Sequence, residues 1–268
     1  MKKKRRTRQK RTKKQPFKKS FLVVSILYAL VVVIGSTYAW VTMADERINR
    51  VNSNAIEIKV EGDKSNTVVS GGTVAEKNIT VRNDSTSAGF VRVSLEEILL
   101  IFEMDTLDRT GNGNVKVYDT AVTPAIEKDV TSSWQVGKTY KKNSSTYFKS
   151  KQKEQNSFLY GDVSRDGTLF KFIELEFPTV QTTLQASSDY WLYEDGYFYY
   201  SEILPPNKSA SILIKSIKGT QDLPNIMKHT FYGIDVVAEG YSLTNSSLGL
   251  MGLLPTDLAY QLFENQLN

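Results

Sequence analysis

Few residues of this chain stand at spacings that could do chemistry. The best spaced are Asp162-Val163-Ser164-Arg165-Asp166-Gly167. Oxygen-bearing side chains fall at the first, third and fifth places and glycine at the sixth, the opening of a calcium loop. Such a loop ends in a bidentate Glu at its twelfth place, and here that residue is Ile173. Arg165 also brings a repelling charge. Asp162, Ser164 and Asp166 therefore stand as a calcium candidate, against the favoured reading of a plain Asp-Gly turn. His229 is the single histidine and there is no cysteine. A triad or a zinc site needs partners at set spacing, and His229 has none in sequence. HExxH, GxSxG, P-loop and GxGxxG patterns are missing. The expectation is a non-enzymatic protein with no catalytic residues, no cofactor and no metal beyond that candidate.

Aromatic side chains offer a second kind of chemistry. Tyr190 to Tyr200 carries seven rings, arranged around Glu194-Asp195-Gly196. They could stack on a sugar or cell-wall ligand, but alternating aromatics on a hairpin more often fill a core and make cross-strand pairs. Leu254-Pro255-Thr256-Asp257 resembles a sortase signal without its glycine, apolar tail or basic end. Asn78-Ile79-Thr80 fits an N-glycosylation pattern that means little outside a eukaryotic secretory route.

The elements that would position these residues are mostly strands. Residues 55–60 alternate, with Ile56, Ile58 and Val60 on one face and Glu57 and Lys59 on the other. Further strands are expected at 77–81, 90–95, 169–177, 190–193, 197–201, 209–217 and 231–240. Asp195-Gly196 between aromatic runs signals a tight hairpin. Residues 105–166 are turn-rich and lysine-rich and read as an insertion. Residues 256–265, after Pro255, read as a short C-terminal helix. Short strands without intervening helices imply an all-β antiparallel sandwich or jelly roll.

The amino terminus is different. Residues 2–19 carry twelve Lys and Arg and no acid. Residues 21–35, FLVVSILYALVVVIG, carry no charge, and small residues return at 36–41. These are the basic, apolar and cleavage zones of a signal peptide. A cut after Ala39 or after Trp40 fits the pattern. Left uncut, residues 21–41 are long enough to span a bilayer and anchor the chain. Residues 41–54 are a polar connector, and 55–268 the exported domain. With the basic tail set aside, 22 Lys and Arg face 29 Asp and Glu, a net of −7. Nucleic acid is therefore not an expected partner of the domain.

Four stretches taken together resemble the exported proteins processed by a SipW-type signal peptidase, the TasA, camelysin and BsaA-like biofilm-matrix family. They are GSTYAWV at 35–41, the spacing from there to NAIEI at 54–58, NDSTSAGFVRVSL at 83–95, and the aromatic Asp-Gly hairpin of 191–217 followed by 231–241. The basic start is longer than the family's, which keeps membrane retention open. The resemblance implies a jelly-roll-like domain, export through the translocon, processing by the SipW-type peptidase and a surface or matrix role. It also implies self-assembly by strand addition, with Ile56, Ile58 and Val60 on the assembly strand; pairing of that strand within its own subunit is the competing reading. A membrane-anchored module binding cell wall, carbohydrate or protein is the alternative function.

Overall fold

The computed structural model describes residues 56–123 and 125–267. The signal, anchor and cleavage readings, with Ala39 and Trp40, lie outside the described residues. Among those described, no helix is long and apolar enough to cross a membrane.

The described chain is all-β, a sandwich of two sheets. Its strands are β1 (Ile58–Glu61), β2 (Thr67–Val68), β3 (Val74–Asn83), β4 (Gly89–Phe102), β5 (Val117–Tyr118), β6 (Thr139–Lys141), β7 (Tyr147–Ser157), β8 (Ile173–Glu176), β9 (Val180–Gln181), β10 (Trp191–Glu194), β11 (Tyr197–Tyr200), β12 (Ile214–Gly219) and β13 (Phe231–Ser242). Two short helices close the chain, α1 (Asn245–Leu250) and α2 (Leu258–Leu267). The smaller sheet runs β1-β3-β12-β8 and the larger β2-β13-β4-β11-β10-β9. Pairing is antiparallel except between β9 and β10.

β4 organises the larger sheet. One side of it is held by β13 over most of its length, from Gly89↔Ser242 to Leu100↔Phe231. The other side is shared end to end by β11 at Arg92 and Val93 and by β7 from Glu96 to Phe102. Period-two alternation then sorts β4's side chains. Val91, Val93 and Leu95 meet Ile79, Val81, Trp191, Phe198, Leu213 and Ile214 between the sheets. On the outer face Phe90 packs with Leu192, Tyr199, Leu248 and Phe263 under the helices, its ring stacked on Phe263 at 4.3 Å. Farther along the same face, Ile98, Leu100 and Phe102 are covered by Ile126, Trp134, Phe148 and Phe231. Both faces of this sheet are thus apolar. That is why residues 98–102, after the Glu96-Glu97 pair, form an unbroken apolar run.

Expectations change in detail: the strands read at 55–60 and 209–217 run over 58–61 and 214–219. Residues 105–166 are woven into the larger sheet: β5 and β6 pair with β7, and β7 pairs with β4. Residues 169–172 alternate like a strand but form a 3-10 turn, because the Thr168 hydroxyl accepts the Phe170 N–H and starts the turn. The strand begins only at Ile173. The C-terminal helix starts at Leu258, two residues later than the pattern suggests.

The aromatic hairpin forms as the Asp-Gly signal predicts. Asp195 and Gly196 adopt φ of +48° and +85°, joining β10 to β11. Trp191, Leu192, Phe198, Tyr199 and Tyr200 are buried, split between the inter-sheet core and the helix-covered face. Each such side chain contributes about 1.5–3 kcal/mol through burial. The hairpin's rings therefore build the core on both faces.

Candidate functional site

β13 reads FYGIDVVAEGYS. Tyr232, Ile234, Val236 and Ala238 turn toward the inter-sheet core. Val237 points the other way and is exposed. β4 occupies one edge of β13 for all twelve residues. On the opposite edge β2 pairs only with Phe231 and Tyr232. The Val69 N–H donates to the Thr230 carbonyl at 2.8 Å, which fixes the direction of the ladder. Backbone groups alternate sides along an antiparallel strand, so Ile234, Val236 and Ala238 turn their N–H and C=O groups to that same edge. No strand among the described residues pairs with them there.

The strand nearest to this edge is β1. It pairs with β3 of the same chain, Ile58↔Asn83 and Val60↔Val81. Just before it, Ile56 lies against Gly89 and Gly240. β1 is thus close to β13 at the Gly240 end. Toward Val60 the two strands part and leave a cleft of about 380 Å³. Val60, Ile79, Ile217, Ile234 and Val236 give it an apolar floor, and Asp63, Asn66, Asp129, Thr131 and Asp235 a polar rim.

Two lysines line this cleft, Lys64 and Lys77, and Lys77 is the buried one. β3 changes register against β12 between Ile214 and Ser216, and Asn78 takes φ of +46°. Lys77 and Ile79 lie on either side of that irregularity, two residues apart, and both face inward. Lys77 is 3% exposed, and its ammonium donates to Asp63 Oδ2 at 3.2 Å and to the Ser65 carbonyl. Hydrogen bonds from Ser65, then the Lys77 ammonium, hold the Asp63 carboxyl down at about 2. Deeper in, Glu97 is fully buried on β4. It accepts from Arg165 at 2.6 and 3.1 Å and from the Tyr232 hydroxyl at 2.8 Å. The charged groups are thus tied to one another, which makes this arrangement a scaffold beside an open edge.

The other sequence candidates lie elsewhere. The Asp162 carboxylate accepts the Ser164 N–H at 2.7 Å and caps the 3-10 turn Val163–Gly167. Arg165, from the same turn, enters the core to reach Glu97. Among the described residues no three His, Asp or Glu side chains gather to hold a metal. His229 is exposed, in a turn at φ +63°. The open edge and the Glu97 cluster were not found by sequence reasoning. A faint signal existed: the β7 run KSKQK is studded with lysine, whereas residues 232–238 of β13 carry none. No family model, curated protein or solved structure matches the chain.

Proposed function

We propose that this chain is a non-enzymatic exported protein of the bacterial surface or biofilm matrix, whose domains assemble by strand addition at the β13 edge. The observation that carries the reading is the unpaired edge of Ile234, Val236 and Ala238 above an apolar-floored cleft. An unpaired edge presents ordered donors and acceptors to another chain, and an incoming strand's alternate side chains find the cleft beneath them. Two other edges are guarded. β7 carries Lys151 and Lys153, and β9 is two residues long. Charge and shortness are the usual protections against edge pairing. On β13 the two acids are already engaged, Asp235 by the Thr131 hydroxyl and Glu239 by Arg92.

Export rests on residues 1–41, and the SipW-type peptidase is its proposed processing partner. Mass spectrometry of the protein from fractionated cells tests this. A mature chain starting at Trp40 or Val41 outside the cytoplasm is the expected result. An intact chain in the membrane fraction would replace release by anchoring, and an intact cytoplasmic chain would sink the export reading. Assembly is tested separately, through the β13 edge.

A further inference from the structure

We infer that the β5–β7 corner is a docking surface for a linear polyanion, a base-free chain of phosphodiesters. The argument starts from charge segregation. Residues 138–153 hold six lysines and no acidic residue, while the rest of residues 56–267 hold 14 Lys and Arg against 27 Asp and Glu. A basic hairpin on an acidic domain is a local attractor for anions that the remaining surface repels.

The fold gathers this charge further. Lys116 and Lys151 line a shallow cleft of about 260 Å³ together with Glu103, Met104, Thr106 and Leu107. Glu103 is the acid in that lining, and it is already engaged. It accepts from the Tyr118 hydroxyl, and the Lys149 ammonium lies 3.2 Å away. The Lys116 ammonium stands 5.1 Å above the Tyr118 ring. Lys151 is exposed there, and so is Lys141, which sits across from Tyr147 on the neighbouring strand. One carboxylate among the ammonium groups of Lys116, Lys149 and Lys151 leaves the cleft positive.

The residue types define the partner. Every cation here is lysine. Lysine offers a point charge on a flexible stem, without the planar fork by which arginine selects a carboxylate or a single phosphate geometry. Such a surface reads repeated charge rather than shape. Binding of single-stranded nucleic acid also uses exposed rings as stacking platforms. Here Phe148 and Trp134 are buried and Tyr118, Tyr140 and Tyr147 are half-buried. A phosphodiester chain without bases satisfies this chemistry.

The test compares the full chain with its triple variant K116Q/K141Q/K151Q, so that the basic tail of residues 2–19 is present in both. Lys149 is kept to preserve its contact with Glu103. Binding of a poly(glycerol phosphate) oligomer is followed across salt concentration. Each phosphate contact contributes about 0.7 to the slope of log K against log salt for a flexible strand, so the triple variant's slope should be shallower by about 2. The matched K116R/K141R/K151R variant should keep the parent slope. An unchanged slope in the glutamine variant would overturn the proposal, as would a loss in the arginine variant, or a loss seen with an oligothymidine strand but not with poly(glycerol phosphate).

Discussion

Ile56 occupies the space that Gly240 leaves by having no side chain. A Cβ at Gly240 would stand 2.6 Å from the Ile56 Cγ2 and carbonyl oxygen, and one at Gly89 2.7 Å from Cγ1. A single isoleucine in a two-glycine niche therefore keys the start of the domain to β13. Gly240→Ala should displace Ile56 and lower stability by about 1–3 kcal/mol, the usual effect of overpacking. Urea unfolding measures it. Gly249→Ala, in open space on α1, is the control and should be neutral or slightly stabilising. Equal stability of the two variants would contradict the keying role.

Arg165 holds the buried charge of Glu97. Its side chain is 17% exposed and that of Glu97 is 0%. Removing one partner of a buried ion pair strands the other, at a cost of about 3–5 kcal/mol. Arg165→Met should lose that much in urea unfolding. Arg165→Met combined with Glu97→Gln should recover part of it, since a neutral amide is easier to bury. A double variant weaker than Arg165→Met would show that the charge is not what matters.

Glu194 ends β10 and caps α2 across the fold. Its two carboxylate oxygens accept the N–H groups of Leu258 at 2.9 Å and Ala259 at 2.8 Å. First-turn amides lack partners within a helix, and a carboxylate also suits the positive end of the helix dipole. Glu194→Ala should destabilise α2 by about 1–2 kcal/mol. Hydrogen exchange should then quicken about tenfold across α2 and leave β4 unchanged. Uniform change across both elements would refute a local cap.

Stability should fall at both extremes of pH. Burial pushes Tyr199 and Tyr241 up to about 12, and raises Tyr200 and Tyr232 as well. A raised folded value means that the stability is complete below the unfolded value of 10.0 and is lost as pH climbs from there through the folded values. Asp63 has the opposite sign. Its folded value of about 2 contributes stability above the unfolded 3.8, which is lost as pH falls toward 2. Unfolding midpoints measured from acid to alkali should therefore decline above pH 10 and below pH 4. Tyrosines that ionise together near pH 10 with the fold intact would contradict the burial argument.

Much of the fold is legible in the sequence because period two and turn chemistry are local signals. Ile56, Ile58 and Val60, the Val91 and Val93 alternation and the Asp195-Gly196 hairpin all report themselves this way. β7 is less visible. Phe148 and Ser150 are buried while Gln152 and Glu154 on the same strand are only half-buried, and a register shift near Phe102 breaks the alternation. Glu97 is invisible for another reason: its burial depends on Arg165 and Tyr232, which are distant in sequence. The open edge is a property of topology. Nothing in FYGIDVVAEGYS says that β2 pairs with only two of its residues.

Strand addition at β13 has a direct test. The Ala238 N–H points away from β4, so Ala238→Pro removes an edge donor without breaking the β4 ladder. Val237→Lys adds the guard charge that β13 lacks, at a side chain already 55% exposed. Electron microscopy and sedimentation of the parent and both variants, across a wide concentration range, is the deciding measurement. The parent should form ordered, concentration-dependent assemblies, and both variants should stay monomeric while folding normally by circular dichroism. A parent that stays monomeric throughout, or variants that assemble as it does, would contradict assembly through this edge.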